Sequence, residues 1–300
     1  MSIVERAVQV VEQGGKTVTV PEPLPAPQPA ASSVDLSITR RDLKPIVEIS
    51  GDRLRTAGYL PGAKMAHQTE DEIRRIKWPL LNAIKGRSGA APARNNVILV
   101  TSATPGEGKS FTSLSLALSI VRDREMRVIL VDGDVARPSL TPVLGLEGRP
   151  GLNELLEDAA VDVNAVTYQT DVAGLFFVPS GAWREHASEL FASSRMPQVI
   201  AALSQRVGNG VIVLDSPPLL ATNEAQVASR YVGQVLLVVR ADRTEQRAVL
   251  DAIALVDKST PINAVLNGVE VSMVSKYYGQ YSYSSGYRHG RSGGSEAGNE

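Results

Sequence analysis

From Asn96 onward the chain alternates short, nearly unbroken apolar runs with stretches of helical periodicity. The runs are Val97–Thr101, Arg127–Asp132, Leu175–Val178, Val211–Asp215, Val235–Arg240 and Ile262–Asn267. Runs of this length without polar alternation read as strands buried on both faces, hence as a parallel sheet covered by helices. Strand-then-helix alternation predicts an α/β fold with a doubly wound, mainly parallel sheet, and it places ligands at the carboxyl ends of the strands. Phe111 to Val121 reads as one of the covering helices. Upstream, Thr69 is placed to cap a helix running through Asp71, Glu72, Ile73, Ile76 and Leu80, with its acidic residues in the first turn.

The flanks carry different patterns. Ile3, Val4, Ala7, Val8 and Val11 fall on one face of a short amphipathic helix within residues 1–20. Pro21 to Ser33, PEPLPAPQPAASS, is an extended linker without the means to form a core, and residues 34–66 are mixed. We therefore expect an N-terminal helix over 1–20, a proline-rich linker and irregular segment over 21–66, and a globular domain over 67–275. The last part, 276–300, is dominated by Ser, Gly and Tyr and is expected to be a disordered tail.

The stretch ATPGEGKS, Ala103 to Ser110, joins the first apolar run to the Phe111–Val121 helix. A Gly-rich turn between strand and helix points several backbone N–H groups at one small volume, and the positive end of the helix dipole faces it too. That geometry suits a triphosphate, with Lys109 reaching the β- and γ-phosphates and the Ser110 hydroxyl available to Mg²⁺. Ala103 stands where the common pattern begins with glycine. Two further strand ends carry carboxylates: Asp132 and Asp134 in VILVDGDVARP, and Asp215 in VIVLDSPP. Carboxylates beside a phosphate loop suit Mg²⁺ and its waters, and they suit orienting or deprotonating an attacking hydroxyl. Arg137 is equally suited to a phosphate contact and to an internal ion pair.

Composition narrows the field. The 300 residues carry a net charge of −1, which argues against a broad nucleic-acid surface, and no nucleic-acid partner is expected. There is no cysteine, so disulfides and thiol catalysis are excluded. His67, His186 and His289 lack metal-ligand spacing. No run approaches the 18 apolar residues of a membrane span, and the N-terminus does not read as a signal peptide. Tyr277, Tyr278, Tyr281, Tyr283 and Tyr287 crowd the tail, where nothing is available to bury a phenol ring. They read either as a sticky low-complexity tail or as a set of phosphate acceptors.

Together, SATPGEGKS, VDGDVARP, LDSPP, the stretch SELFASSRM after FVPSG, and the tyrosine cluster resemble the bacterial protein-tyrosine kinases of exopolysaccharide synthesis. The resemblance covers roughly Thr69 to Tyr287. SIVERAVQVVEQ, the proline linker and EIRRIKWPLL resemble more specifically the exosortase-associated tyrosine autokinases. The resemblance implies a P-loop fold of ParA/MinD-like architecture, with ATP and Mg²⁺ as cofactors. Thr104, Pro105, Gly106, Glu107, Gly108, Lys109, Ser110 and Phe111 would surround the nucleotide, with Asn267 at the adenine. Lys109, Asp132 and Asp134 would serve catalysis; Ser110, Asp132 and Asp215 would hold the metal; the five tail tyrosines would accept phosphate in trans.

Two positions depart from the family. Ala136 replaces the first of two basic residues before the proline, and the ring-forming Glu-Arg-Arg set becomes Asp71, Arg74 and Lys77. The competing class is the ParA/MinD-like partitioning or positioning ATPases, which carry a second lysine where this chain has Thr104. The resemblance also implies a membrane chain-length regulator (polysaccharide co-polymerase) as partner, self-assembly into a homo-oligomer with a ring as one form, and a cognate tyrosine phosphatase. It implies a cytoplasmic chain recruited to the inner face of the membrane through that partner.

Overall fold

The computed structural model describes residues 44–62, 65–86, 93–123 and 126–269. The expected N-terminal helix, the proline stretch and all five tail tyrosines lie outside the described residues. Eight strands form one sheet: β1 (Lys44–Val47), β2 (Val97–Ser102), β3 (Val128–Asp132), β4 (Tyr168–Thr170), β5 (Leu175–Val178), β6 (Val211–Asp215), β7 (Gln234–Arg240) and β8 (Ile262–Asn267). Their order is β1-β4-β5-β3-β6-β2-β7-β8. The six strands read from the apolar runs all form, mutually parallel, within a residue or so of the expected ends.

Continuous apolar strands are explained by burial on both faces. Ile98 and Val100 of β2, Val128 and Leu130 of β3, and Val213 of β6 share one core with Leu114, Ala117 and Ile120 of helix α3 (Lys109–Val121). Leu80 and Leu81 of helix α2 (Ala66–Lys85) join the same core. The alternate residues Leu99, Val131, Ile212 and Leu214 are equally buried on the other face. Helix α8 (Arg195–Val207) packs against β6 and β3, burying Met196, Val199, Ile200 and Leu203. Each such side chain contributes roughly 1.5–3 kcal/mol by leaving water.

The sheet reaches back into the stretch read as linker and irregular segment. β4 runs antiparallel to β5, and β1 runs parallel to β4. Asp171 fastens this edge: its backbone N–H donates to the Val47 carbonyl at 3.0 Å, and its carboxylate accepts from Ile49 N–H at 2.9 Å. The short helix α1 (Gly51–Thr56) follows, with Leu54 fully buried.

Helix α2 starts three residues before the expected cap. Its N-cap is Met65, and Thr69 lies inside the first turns with its N–H bonded to the Met65 carbonyl at 2.9 Å. The charge set expected to face a neighbouring molecule is also divided. Asp71 and Arg74 are exposed and pair with one another at 3.2 Å, whereas Lys77 is only 8% exposed. Its Nζ donates to the Ser119 carbonyl at 3.1 Å and to both Asp123 oxygens, at 3.0 and 3.1 Å. Lys77 anchors α2 to the end of α3, because a buried ammonium needs a full set of acceptors. The remaining helices are α4 (Leu140–Val143), α5 (Leu152–Glu157), α6 (Val163–Val166), α7 (Ala187–Ala192), α9 (Glu224–Ala228) and α10 (Gln246–Leu255).

Candidate nucleotide and phosphotransfer site

The phosphate loop turns between β2 and α3 through two left-handed glycines, Gly106 (φ +82°) and Gly108 (φ +97°). A side chain at Gly108 would be strained by the left-handed backbone and would have to displace the Asn267 amide nitrogen, which lies 2.0 Å from where its Cβ would stand. Glu107 is 2% exposed and turns inward. Its carboxylate accepts from Thr104 N–H at 2.8 Å and from the Thr244 hydroxyl, while its carbonyl accepts from Asn267 Nδ2 at 2.8 Å. Among the residues expected to surround a nucleotide, Glu107 and Asn267 thus brace the loop from beneath, and Thr104 N–H is engaged by that brace. Pro105 and Gly106 are exposed at its tip, and Lys109, Ser110 and Phe111 are half-buried at the start of α3.

The sheet brings the aspartates together. Asp132 and Asp215 are register partners on adjacent strands. The pairing continues one residue further, where Gly133 N–H donates to the Asp215 carbonyl at 2.8 Å. A Cβ at Gly133 would lie 2.6 Å from that oxygen, so only glycine permits this approach. Asp132 Oδ2 accepts from both the backbone N–H and the hydroxyl of Thr141, each at 2.7 Å. Asp215 Oδ1 accepts from the Ser113 hydroxyl at 3.0 Å. The second oxygen of each carboxylate, Asp132 Oδ1 and Asp215 Oδ2, is buried without a protein partner.

Two buried carboxylates side by side resist ionisation. Asp132 is pushed up to about 6, chiefly by burial, with the Thr141 hydrogen bonds opposing and the Asp134 charge adding. Asp215 is pushed up to about 7 by burial and then by Asp132, with Ser110, Lys109 and Ser113 opposing. Asp134 is also raised by burial, while the Arg137 backbone N–H, bonded to it at 3.1 Å, and the Lys109 charge pull it down. Lys109 thus acts on both Asp134 and Asp215, and the Arg137 side chain is exposed.

Two buried, unpartnered carboxylate oxygens beside a lysine and a serine hydroxyl are the donor set a hydrated Mg²⁺ with phosphate requires. Among the described residues no three His, Cys, Asp or Glu side chains converge to cage a metal alone. Ser110, Asp132 and Asp215 therefore fit a cation that takes its remaining ligands from phosphate and water.

Several contributors have no local sequence signal. Thr141, Ser113 and Thr244 are recognisable only once the strands are assembled. Tyr59 is another: its phenol is pushed up chiefly by burial, opposed by a hydrogen bond with Ser139 and reinforced by the charges of Asp215 and Asp132. Glu224, buried at the start of α9, adds its charge to Asp134.

A family model described as ParA, NUBPL iron-transfer P-loop NTPase, matches residues 93–275, the span from the entry to β2 to just past β8. The chain belongs to this P-loop NTPase family. The chain is similar to the tyrosine-protein kinase ptk of Acinetobacter johnsonii, 32% identical over 155 residues, covering 52% of this chain and 21% of that protein. It is also similar to the putative tyrosine-protein kinase CapB of Staphylococcus aureus, 29% identical over 191 residues, covering 61% of this chain and 80% of CapB. The solved BceF tyrosine kinase domain matches with a TM-score of 0.58 at 29% identity, over 76% of this chain and 93% of that one. The chain thus spans about a fifth of the first of these relatives and most of the second. Among the described residues of this P-loop NTPase, no helix is long and apolar enough to cross a membrane.

Proposed function

We propose that this P-loop NTPase is an ATP-dependent protein-tyrosine autokinase of exopolysaccharide production, and that it phosphorylates its tail tyrosines in trans. The observation that carries the reading is the state of Asp132. One of its oxygens is fixed by two hydrogen bonds from Thr141, and the other is buried and free to accept a proton. A pKa raised to about 6 suits a general base working near neutral pH.

In the proposed reaction the tyrosine O–H loses its proton to the Asp132 carboxylate, and its oxygen forms a bond to the γ-phosphorus. The bond from the γ-phosphorus to the β–γ bridging oxygen breaks, and ADP leaves with that electron pair. Lys109 offsets the charge on the phosphates, while Ser113 and Thr141 hold the two aspartates in place. Bound Mg²⁺, held through Ser110, Asp132 and Asp215, would supply further charge neutralisation. Asn267 Oδ1 is an acceptor of the kind the adenine amine requires.

Similarity to proteins named tyrosine-protein kinases, together with Thr104 in place of a second loop lysine, favours this reading over a partitioning ATPase. A membrane chain-length regulator, a ring of copies and a cognate phosphatase belong to the same proposal, as does recruitment to the inner membrane face. The inward-turned Lys77 leaves Asp71 and Arg74 as the exposed members of the Asp71, Arg74 and Lys77 set. The test mixes a full-length Lys109→Ala chain with an active chain truncated at Ser275, in the presence of ATP and Mg²⁺. Mass spectrometry should find phosphate on Tyr277, Tyr278, Tyr281, Tyr283 and Tyr287 of the inactive chain. A bare tail there, with the active chain hydrolysing ATP, would refute transfer between molecules.

A further inference from the structure

Trp183 is 68% exposed, on the loop that leaves the carboxyl end of β5. Its backbone surroundings are fixed on both sides. Ala182 N–H donates to Glu154 at 3.1 Å, and the Ala182 carbonyl accepts from Asn153 Nδ2 at 2.8 Å. Arg184 donates to Glu157 at 2.8 Å and to the Trp183 carbonyl at 3.3 Å. A large aromatic ring held in solvent by an ordered loop adds little to folding, and it is a common anchor for recognition.

The loop is wired to the reacting carboxylate. Ser180 N–H donates to the Thr141 hydroxyl at 2.9 Å, and that hydroxyl donates to Asp132 at 2.7 Å. Ser180 N is therefore within about 6 Å of the Asp132 oxygen. Three residues reach at most about 11 Å further, which puts the Trp183 backbone within roughly 17 Å of Asp132. In an extended peptide, two to four residues span about 7–14 Å. Every tyrosine of the tail has another tyrosine two to four residues away: 277 with 281, 278 with 281, 281 with 283, and 283 with 287.

We propose that Trp183 is an aromatic platform that seats a second tail tyrosine from a neighbouring copy while the first is presented to Asp132. The inference rests on the autokinase reading and deepens it. It gives the clustering of the tyrosines a function, since each ring serves in turn as acceptor and as anchor. Trp183 acts as a positioning residue, so its loss shows in acceptor KM and leaves kcat at saturating acceptor largely unchanged.

The test uses full-length chain, ATP and Mg²⁺ with two synthetic peptides of residues 275–290. Both keep Tyr281 as the sole acceptor; the other four tyrosines are Phe in one and Ala in the other. The unchanged chain should show a KM for the Ala peptide roughly 3- to 10-fold above that for the Phe peptide, the size of one aromatic contact. In Trp183→Ala the two peptides should become equal, and Trp183→Phe should restore most of the difference. Discrimination that survives in Trp183→Ala overturns the platform and leaves the kinase reading intact. Failure of the unchanged chain to phosphorylate either peptide while it phosphorylates its own tail overturns the platform alone; failure on both the peptides and its own tail overturns the kinase reading and the platform with it. Loss of self-association in Trp183→Ala, with peptide discrimination retained, would assign Trp183 to a contact between copies and equally refute the proposal.

Discussion

Thr141→Val isolates the hydrogen bond that prepares Asp132 while preserving side-chain shape. The hydroxyl donates to Asp132 Oδ2 at 2.7 Å and accepts from Ser180 N–H at 2.9 Å; the Thr141 backbone bond to Asp132 survives the substitution. At pH 5 Asp132, whose pKa is about 6, is mostly protonated, so the variant loses a neutral hydrogen bond and leaves Ser180 N–H unpaired. That combination costs roughly 1–3 kcal/mol. At pH 8 Asp132 is ionised, and the lost bond is a charge-assisted one, adding about 1–2 kcal/mol to the deficit.

The sign follows from linkage. Burial raises the folded-state pKa above the unfolded value, so Asp132 contributes stability at low pH that is lost as pH rises from about 4 through about 6. Removing an acceptor bond that favours the charged form raises this pKa further, by about one unit for 1.4 kcal/mol, and extends the loss upward. Urea unfolding of both chains at pH 5 and pH 8, without nucleotide or Mg²⁺, measures the difference directly. The acid-side limb of the phosphotransfer profile, where the rate rises with pH as Asp132 deprotonates, should move upward with it. An identical stability deficit at both pH values would refute the role of Thr141 in setting the charge of Asp132.

Three other outcomes follow from the same geometry. Asp215→Asn should cost Mg²⁺-dependent activity yet gain on the unchanged chain in stability as pH rises from 5 to 8, because Asp215 is raised to about 7 and Asn does not titrate; a relative loss over that range would contradict the assignment. Gly108→Ala should weaken nucleotide binding at least tenfold and destabilise by about 1–3 kcal/mol, since it combines a left-handed backbone with displacement of Asn267; calorimetry with a non-hydrolysable ATP analogue checks it. Lys77→Ala should destabilise by about 1–3 kcal/mol, discounted for the half-exposed Asp123, while leaving subunit assembly unchanged; sedimentation and thermal unfolding separate the two effects.

The six strands that carry the site were legible in the sequence because a strand buried on both faces must be apolar throughout, which is a local property. The phosphate loop was legible for a related reason: its glycines meet backbone demands set within eight residues. The strand-end positions of Asp132 and Asp215 followed from the same runs. What those positions mean was decided by tertiary structure. Register made Asp132 and Asp215 neighbours, and their mutual burial raised both pKa values. Thr141 became the partner of Asp132 through a turn nine residues on, and the Glu107 carboxylate turned inward to brace its own loop. β1 and β4 went unread because KPIV and YQT are not continuous apolar runs like the four-residue LFFV of β5; they add to the sheet at its edge, where Ile46 of β1 stays 65% exposed. Lys77 went inward because α3 ends where Ser119 and Asp123 can saturate its ammonium, a circumstance separated from it by more than forty residues of chain.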